Sequence, residues 1–113
     1  MNLAMPIIFL SVCLLVAGFS FPLILGMIER NDMFGFRIRR TMVNDKIWYK
    51  ANKFAGWAML LSAIVSTILL VIIIVITSNN KNFATETYSL CALLIPIGIA
   101  VVLSIIYAYK IPE

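Results

Sequence analysis

Residues 54–77 read FAGWAMLLSAIVSTILLVIIIVIT, a run of 24 residues without a charged side chain. An α-helix needs about 20 apolar residues to cross the roughly 30 Å of hydrocarbon in a bilayer. A strand is not expected here, because apolar and polar residues do not alternate and an open sheet would leave backbone groups unpaired in lipid. The stretch therefore predicts a membrane-spanning helix and places the chain among integral membrane proteins.

Two further uncharged runs flank this stretch, at residues 1–28 and 87–109. Of the 113 residues, 63% are hydrophobic and only 12% are charged, and a soluble domain of this length could not bury so many apolar side chains. We therefore predict an all-α membrane protein with a single membrane domain over residues 1–113. Its segments are a first transmembrane helix at about 3–28, a loop at 29–53, a second helix at about 54–77, an outer loop at 78–86 and a third helix at about 87–109.

Basic residues are concentrated in the first loop, whereas Lys81 is the only one between the second and third helices. The positive-inside rule therefore predicts a cytoplasmic first loop, with the N-terminus outside and the C-terminus inside. In a loop between membrane helices, the net charge of +4 indicates topology and attraction to anionic headgroups rather than nucleic-acid binding. The residues in the first loop that carry this signal are Arg30, Arg37, Arg39, Arg40, Lys46, Lys50 and Lys53. Aromatic residues expected at the same inner interface are Trp48, Tyr49, Trp57, Tyr107 and Tyr109.

Small or kink-forming residues recur at every fourth position of the third helix. Helices in lipid associate through close van der Waals approach, which such a ridge permits. We expect the ridge to face the other helices or a second copy of the chain; it consists of Ala92, Pro96, Ala100, Ser104 and Ala108. By contrast, residues 68–76 are apolar all round and are expected to face lipid. Cys13 and Cys91 lie at different depths, which favours two buried free thiols over a disulfide.

The first loop has local structure of its own. Asn31-Asp32 is a turn signal, and Gly35 between Phe34 and Phe36 permits a tight backbone beside the membrane interface. Arg37 follows, where it can reach a phosphate or a helix C-terminus. Asn44 is a typical N-cap. After it, one apolar face at helical spacing predicts a short interfacial amphipathic helix, either separate from the second transmembrane helix or continuous with it; that face consists of Val43, Ile47, Trp48, Ala51, Phe54 and Ala55.

Three parts of this region resemble the signature of the bacterial SdpI family. They are MFGFR at residues 33–37, Thr41, and WYKANKFAG at residues 48–56. The family pattern is roughly (I/F)-G-(I/F)-R-(T/I)-P-W-T, then polar residues, then W-x-x-(T/A)-(N/H)-(R/K)-(F/L)-A-G, between a first and a second membrane helix. This chain departs from it at Ile38-Arg39-Arg40, where many members have Thr-Pro-Trp, and ligand specificity would differ if that tripeptide contacts a partner.

The resemblance implies a bacterial cytoplasmic-membrane protein that protects the cell from a membrane-active peptide toxin. Protection would come from binding the toxin or from shielding its target. The residues that match the motif, and would carry such a site, are Gly35, Arg37, Thr41, Trp48, Asn52 and Gly56. A structural role competes with a binding role for each of them, since the glycines suit turns or close helix approach and Trp48 suits an interface anchor.

The residues themselves argue against one function class, an enzyme, and leave two others as alternatives to immunity. An enzyme is not expected, because the chain has no His, no Gly-rich phosphate loop and no Cys pair at metal spacing, and no cofactor is predicted. A homo-oligomeric transport or channel subunit is an alternative, with a pore lined by Ser62, Ser66, Thr67 and Ser104. A membrane-tethered regulatory partner that docks a soluble protein on its basic loop is another. Membrane lipids are expected partners in every case.

Overall fold

The computed structural model describes residues 4–77 and 85–112 of the chain. Within these ranges there are three helices, α1 (Ala4–Ile24), α2 (Asp45–Thr77) and α3 (Thr85–Lys110), and each is long and apolar enough to cross a membrane. The predicted all-helical architecture is confirmed. Lys81 and most of the predicted outer loop at 78–86 lie outside the described residues.

Gly26 ends α1 about four residues before the predicted boundary. Its φ of 70° lies in the left-handed region, which glycine adopts without the steric penalty of a Cβ. The Gly26 N–H donates to the Leu23 carbonyl at 3.3 Å, and the Met27 N–H donates to the Pro22 carbonyl at 3.0 Å. Together these bonds form a Schellman motif, which satisfies the last carbonyls of α1 and turns the chain into the loop.

The amphipathic segment after Asn44 is continuous with the second transmembrane helix. The Asn44 Oδ1 accepts a hydrogen bond from the Ile47 N–H at 2.9 Å, which confirms the predicted N-cap. From Asp45 the helix continues for 33 residues, about 50 Å at 1.5 Å per residue. Because the hydrocarbon core is about 30 Å thick, α2 is long enough to project well beyond one membrane surface. Among the described residues of the loop there is no separate short helix. The prediction of a helix separate from the second transmembrane helix is therefore wrong, and the continuous alternative is correct.

α2 lies at the centre of the bundle and packs against both α1 and α3, whereas α1 and α3 touch each other at few points. Two apolar clusters hold the helices together. One contains Phe9, Cys13 and Leu70 with the start of α3, and the other, near the loop, contains Ile47, Ala51, Ala108 and Ile111. This order leaves a cleft between α1 and α3 over part of the surface of α2.

The small-residue ridge of α3 faces the other helices. Ala92, Ala100, Ser104 and Ala108 are each at most 8% exposed, whereas Ile99 on the neighbouring face is 55% exposed. The prediction for this ridge is confirmed, apart from Pro96, which is only partly buried. Close approach of helix backbones is what such a ridge provides in lipid, where the hydrophobic effect does not drive helices together.

Most of residues 68–76 lie on the outside of the bundle, as predicted, but Leu70 is fully buried against Phe9 and Leu93. Cys13 and Cys91 are both free thiols. Cys13 is buried as expected, whereas the prediction of a buried Cys91 is wrong. Cys91 precedes Ala92 by one position, or about 100° around the helix, and so leaves the packed face of α3.

Tryptophan scanning of α3 tests this packing. Ala100→Trp and Ser104→Trp place an indole where the helices meet, and we expect both to lower the yield and thermal stability of membrane-inserted protein. Overpacking of this kind typically costs about 1–3 kcal/mol. Ile99→Trp and Val102→Trp are the matched controls on the exposed face and should behave like the wild type. Equal tolerance at all four positions would show that the ridge is not at a helix interface.

Candidate functional site

Asn31 starts the structured part of the α1–α2 loop, which comprises residues 25–44. Its Oδ1 accepts hydrogen bonds from the N–H groups of Met33 and Phe34, both at 2.7 Å, and its Nδ2 donates to the Glu29 carbonyl at 2.6 Å. This is an Asx turn, in which a side chain takes the place of a backbone turn partner. The predicted turn at Asn31-Asp32 is therefore present, and it directs the chain back over the helices.

Asn52 of α2 binds the backbone of this loop. Its Oδ1 accepts from the Phe36 N–H at 2.6 Å, and its Nδ2 donates to the Phe36 carbonyl at 3.3 Å and to the Trp48 carbonyl at 2.9 Å. The side chain is almost completely buried, at 2% exposure. The Asn52 side-chain amide thus bonds the N–H and the carbonyl of Phe36 and the carbonyl of Trp48. Each of these buried polar groups would lower the stability of the fold by about 1–3 kcal/mol if it were left without a partner.

Gly35 and Trp48 meet beside Asn52. The φ of Gly35 is 111°, and a Cβ at this position would lie 3.0 Å from both the Asn52 Oδ1 and the ring of Trp48. Trp48 is fully buried, and its Nε1–H donates to the Ile28 carbonyl at 2.9 Å. The Trp48 ring therefore supports the loop from within, a structural role, and its position relative to the membrane interface stays a prediction.

Thr41 and Gly56 also have structural contacts. The Thr41 hydroxyl accepts from the Ile38 N–H and donates to the Ile38 carbonyl, both at 3.0 Å, and Thr41 is fully buried. Gly56 lies where α2 crosses α1. A Cβ there would come within 2.9 Å of the Ser20 carbonyl oxygen and 2.8 Å of the Ile24 side chain. Both residues hold the framework around the loop rather than facing an opening.

Arg40 bonds to the end of α3, a contact that the sequence did not predict. Its Nε–H donates to the Ala108 carbonyl at 3.3 Å, and its Nη2 donates to the Ile111 carbonyl. A guanidinium at the C-terminus of a helix satisfies unpaired carbonyls and complements the helix dipole. Arg40 belongs to the tripeptide in which this chain departs from the family pattern, and it attaches the loop to the end of α3.

Arg37 differs from the other motif residues because its side chain faces an opening, which Gly35 borders only with its backbone. Its side chain is 37% exposed, and its Nη2 lies 3.9 Å from Asp32 Oδ1, which is long for an ion pair. The Asp32 side chain is 91% exposed, so water screens the pair strongly. From the sequence, Arg37 is expected to reach either a phosphate or a helix C-terminus. It does not reach a helix C-terminus in the structure.

The opening that Arg37 faces is the α1–α3 groove, a lateral cleft of about 530 Å³ with α2 as its floor. Its α2 and α3 sides are formed by Ala55, Met59, Val101 and Ser104, and residues 33–37 of the loop close one end. The α1 wall consists of Val12, Leu15, Val16, Phe19, Ser20 and Leu23. The volume lies within the range of about 300–1,000 Å³ that is typical of ligand sites.

The groove is apolar apart from its closed end. Two hydroxyls in its lining are already bonded to helix carbonyls, Ser20 to Ala17 at 2.6 Å and Ser104 to Ala100 at 2.7 Å. At the loop, Phe34 packs on Phe19 with ring centroids 5.6 Å apart. Arg37 is therefore the charged group of the groove. No group of three or more potential metal ligands occurs among residues 4–77 and 85–112.

Gly35→Ala tests the close packing of the loop against α2. The new methyl group would strain the backbone at positive φ and press on Asn52 and Trp48, so we expect a loss of about 1–3 kcal/mol in stability. Gly18→Ala is the matched control, since no atom lies within 4 Å of a Cβ there, and it should be neutral or slightly stabilising. Thermal unfolding in detergent measures both. Equal stability of the two variants would contradict the described packing.

Arg40→Met tests the attachment of the loop to α3. It removes the donors to the carbonyls of Ala108 and Ile111, and we expect it to lower stability by about 1–3 kcal/mol. Arg39→Met removes an exposed charge from the neighbouring position and should change stability by less than about 0.5 kcal/mol. Hydrogen exchange of the last turn of α3 provides a local readout, and it should rise only in Arg40→Met. Unchanged exchange there would rule out a capping role for Arg40.

Comparison with known proteins identifies the family. Residues 27–108 match the model of the SdpI/YfhL protein family, a range that includes most of the loop, all of α2 and nearly all of α3. A search of curated proteins and a search of solved structures each found no match. The matched range covers well over half of the 113 residues and contains all of the motif positions described above. The chain is a member of the SdpI/YfhL protein family.

Proposed function

We propose that this chain is a membrane immunity protein that binds a membrane-active peptide toxin at the α1–α3 groove. Family membership suggests an immunity-type membrane protein. The single observation that carries the proposal of a binding site is the groove itself, a lateral cleft between helices long enough to span a membrane that ends at a partly exposed guanidinium. An amphipathic peptide already within the membrane can enter such a site without leaving lipid.

The groove is formed by residues that hold their positions without a ligand. Asn52, Trp48 and Gly35 fix the loop to α2, and Phe34 packs against α1. A preformed site loses little conformational entropy on binding, which favours affinity. Arg37 is the motif residue that this framework leaves available, so it is the residue we assign to toxin contact.

The proposed topology puts the α1–α2 loop in the bacterial cytoplasm and the groove in the inner leaflet. The concentration of basic residues in and just after the loop supports this orientation by the positive-inside rule. Protection would then occur on the cytoplasmic side of the cell membrane, where the peptide is captured before it can assemble or reach its target. Shielding of that target is the other mode of protection, and it would not require direct peptide binding.

The exposed basic residues favour a second candidate function. Arg39, Lys46, Lys50 and Lys53 are exposed near the loop end of the bundle, where an acidic soluble regulator could dock. A pore between copies of the chain has less support. Ser62, Ser66 and Ser104 are buried within one chain, with their hydroxyls donated to backbone carbonyls.

A protection assay tests the immunity proposal. A sensitive bacterium expressing the chain would be challenged with a panel of membrane-depolarising bacterial peptides, and the inhibitory concentration measured. We expect protection against at least one peptide, reduced about tenfold by Arg37→Gln, the size of effect of one hydrogen bond to a charged group. Arg39→Gln removes the same charge outside the groove and should protect like the wild type.

The amount of membrane-inserted protein must be measured for each variant in the same cells as protection. Equal amounts of inserted Arg37→Gln and wild-type protein would separate a binding defect from a folding defect. Protection that survives Arg37→Gln but fails in Arg39→Gln would favour docking of a soluble regulator on the basic surface. No protection by the wild type against any peptide of the panel would overturn the immunity proposal.

A further inference from the structure

The α1–α3 groove has the length of one membrane leaflet. On α1 it runs from Val12 to Leu23, a rise of about 16 Å at 1.5 Å per residue. Half of a hydrocarbon core of about 30 Å has nearly the same length. The groove is therefore deep enough for one extended acyl chain whose headgroup lies at the loop, and too short to hold a segment that spans the bilayer.

The closed end of the groove carries a positive charge, which would attract an anionic lipid headgroup. The Arg37 guanidinium lies at the loop end, above a lining that is otherwise uncharged and mostly apolar. Two other arginines of the loop have their donors engaged elsewhere, Arg30 with the Met42 carbonyl and Asp45, and Arg40 with the end of α3. Among the described residues, Asp32 at 3.9 Å is the one carboxylate within ion-pair distance of Arg37.

Asp32 does not block an anion at this position. Its side chain is 91% exposed and can turn toward water, whereas the Arg37 side chain is only 37% exposed. A phosphate within hydrogen-bond distance would replace a weak, solvent-screened pair with a charge-assisted contact. Seven basic residues against three acidic ones between Glu29 and Lys53 add a field of the same sign.

We infer that the resting ligand of the groove is one anionic phospholipid from the leaflet that contains the loop, with an acyl chain along α1 and its phosphate on Arg37. This ligand site goes beyond the immunity proposal and does not depend on it. The chemistry of the site distinguishes lipids by headgroup charge, because the side chains along the acyl chain are uncharged and the two hydroxyls among them, of Ser20 and Ser104, are bonded to helix carbonyls. A toxin peptide that enters the groove would displace the lipid.

Native mass spectrometry of the detergent-purified full-length chain tests this inference. Equimolar phosphatidylglycerol and phosphatidylcholine with identical acyl chains would be offered as probes. We expect one phosphatidylglycerol per chain, preferred about tenfold over phosphatidylcholine, because both lipids offer a phosphate to Arg37 but phosphatidylcholine also brings its choline cation close to the guanidinium and the basic loop. Arg37→Gln should remove the preference, and Arg39→Gln should keep it.

A second pair of variants tests the acyl-chain position. Leu15→Trp fills the groove and should lower the binding of both lipids. Leu14→Trp places the same side chain on the neighbouring lipid-facing position, outside this groove, and should bind both lipids like the wild type. Circular dichroism would establish that all variants keep their helical content.

Several results would overturn the inference. These are equal retention of the two lipids by the wild type, an equal effect of Arg37→Gln and Arg39→Gln, or an equal effect of Leu15→Trp and Leu14→Trp. Recovery of a bound peptide in place of phospholipid from unchallenged cells would also overturn it. A protein that binds phosphatidylglycerol as described but protects against no peptide would overturn the immunity proposal alone, so the two failures are distinguishable.

Discussion

The Asn52 side chain bonds both backbone polar groups of Phe36, and the arrangement of the loop depends on this contact. A loop that folds onto a helix buries backbone polar groups, and each of them left without a partner would cost about 1–3 kcal/mol. Asn52 supplies these partners from α2, a helix held by packing on both sides. Gly35 can then lie on Trp48, and Arg37 is presented at the end of the groove.

The groove itself results from helix packing. α2 takes the central position because small residues allow close approach on both of its sides, Gly56 toward α1 and Ser66, whose hydroxyl bonds the Leu93 carbonyl, toward α3. α1 and α3 therefore contact α2 more than each other, and the space between them stays open at the side of the bundle. The loop closes one end of that space, so a single chain forms an apolar cleft with a cation at its closed end. Both proposed ligands, a peptide and a phospholipid, use the same two properties.

Local features could be predicted from the sequence with good success, because they depend on neighbours within a few residues. The helix cap at Asn44, the turn at Asn31 and the buried ridge around Ala100 all follow from spacing and residue type. The hydrogen bonds of Arg40 to the end of α3 could not be predicted in this way, since donor and acceptors are 68 and 71 residues apart. A basic residue in a basic loop carries no sign of which helix end it will meet.

The sequence by itself determined that the chain is a helical membrane protein with three spanning segments, and it identified the motif positions of its family. Apolar length and residue order decide those properties without reference to a partner. Only the tertiary structure divided the motif into a framework and an exposed group. Trp48, Asn52 and Gly35 became interior supports because the loop folds back onto α2, whereas Arg37 remained at an opening. That division depends on which surfaces the packed helices cover, and long-range packing is not encoded in the spacing of the motif.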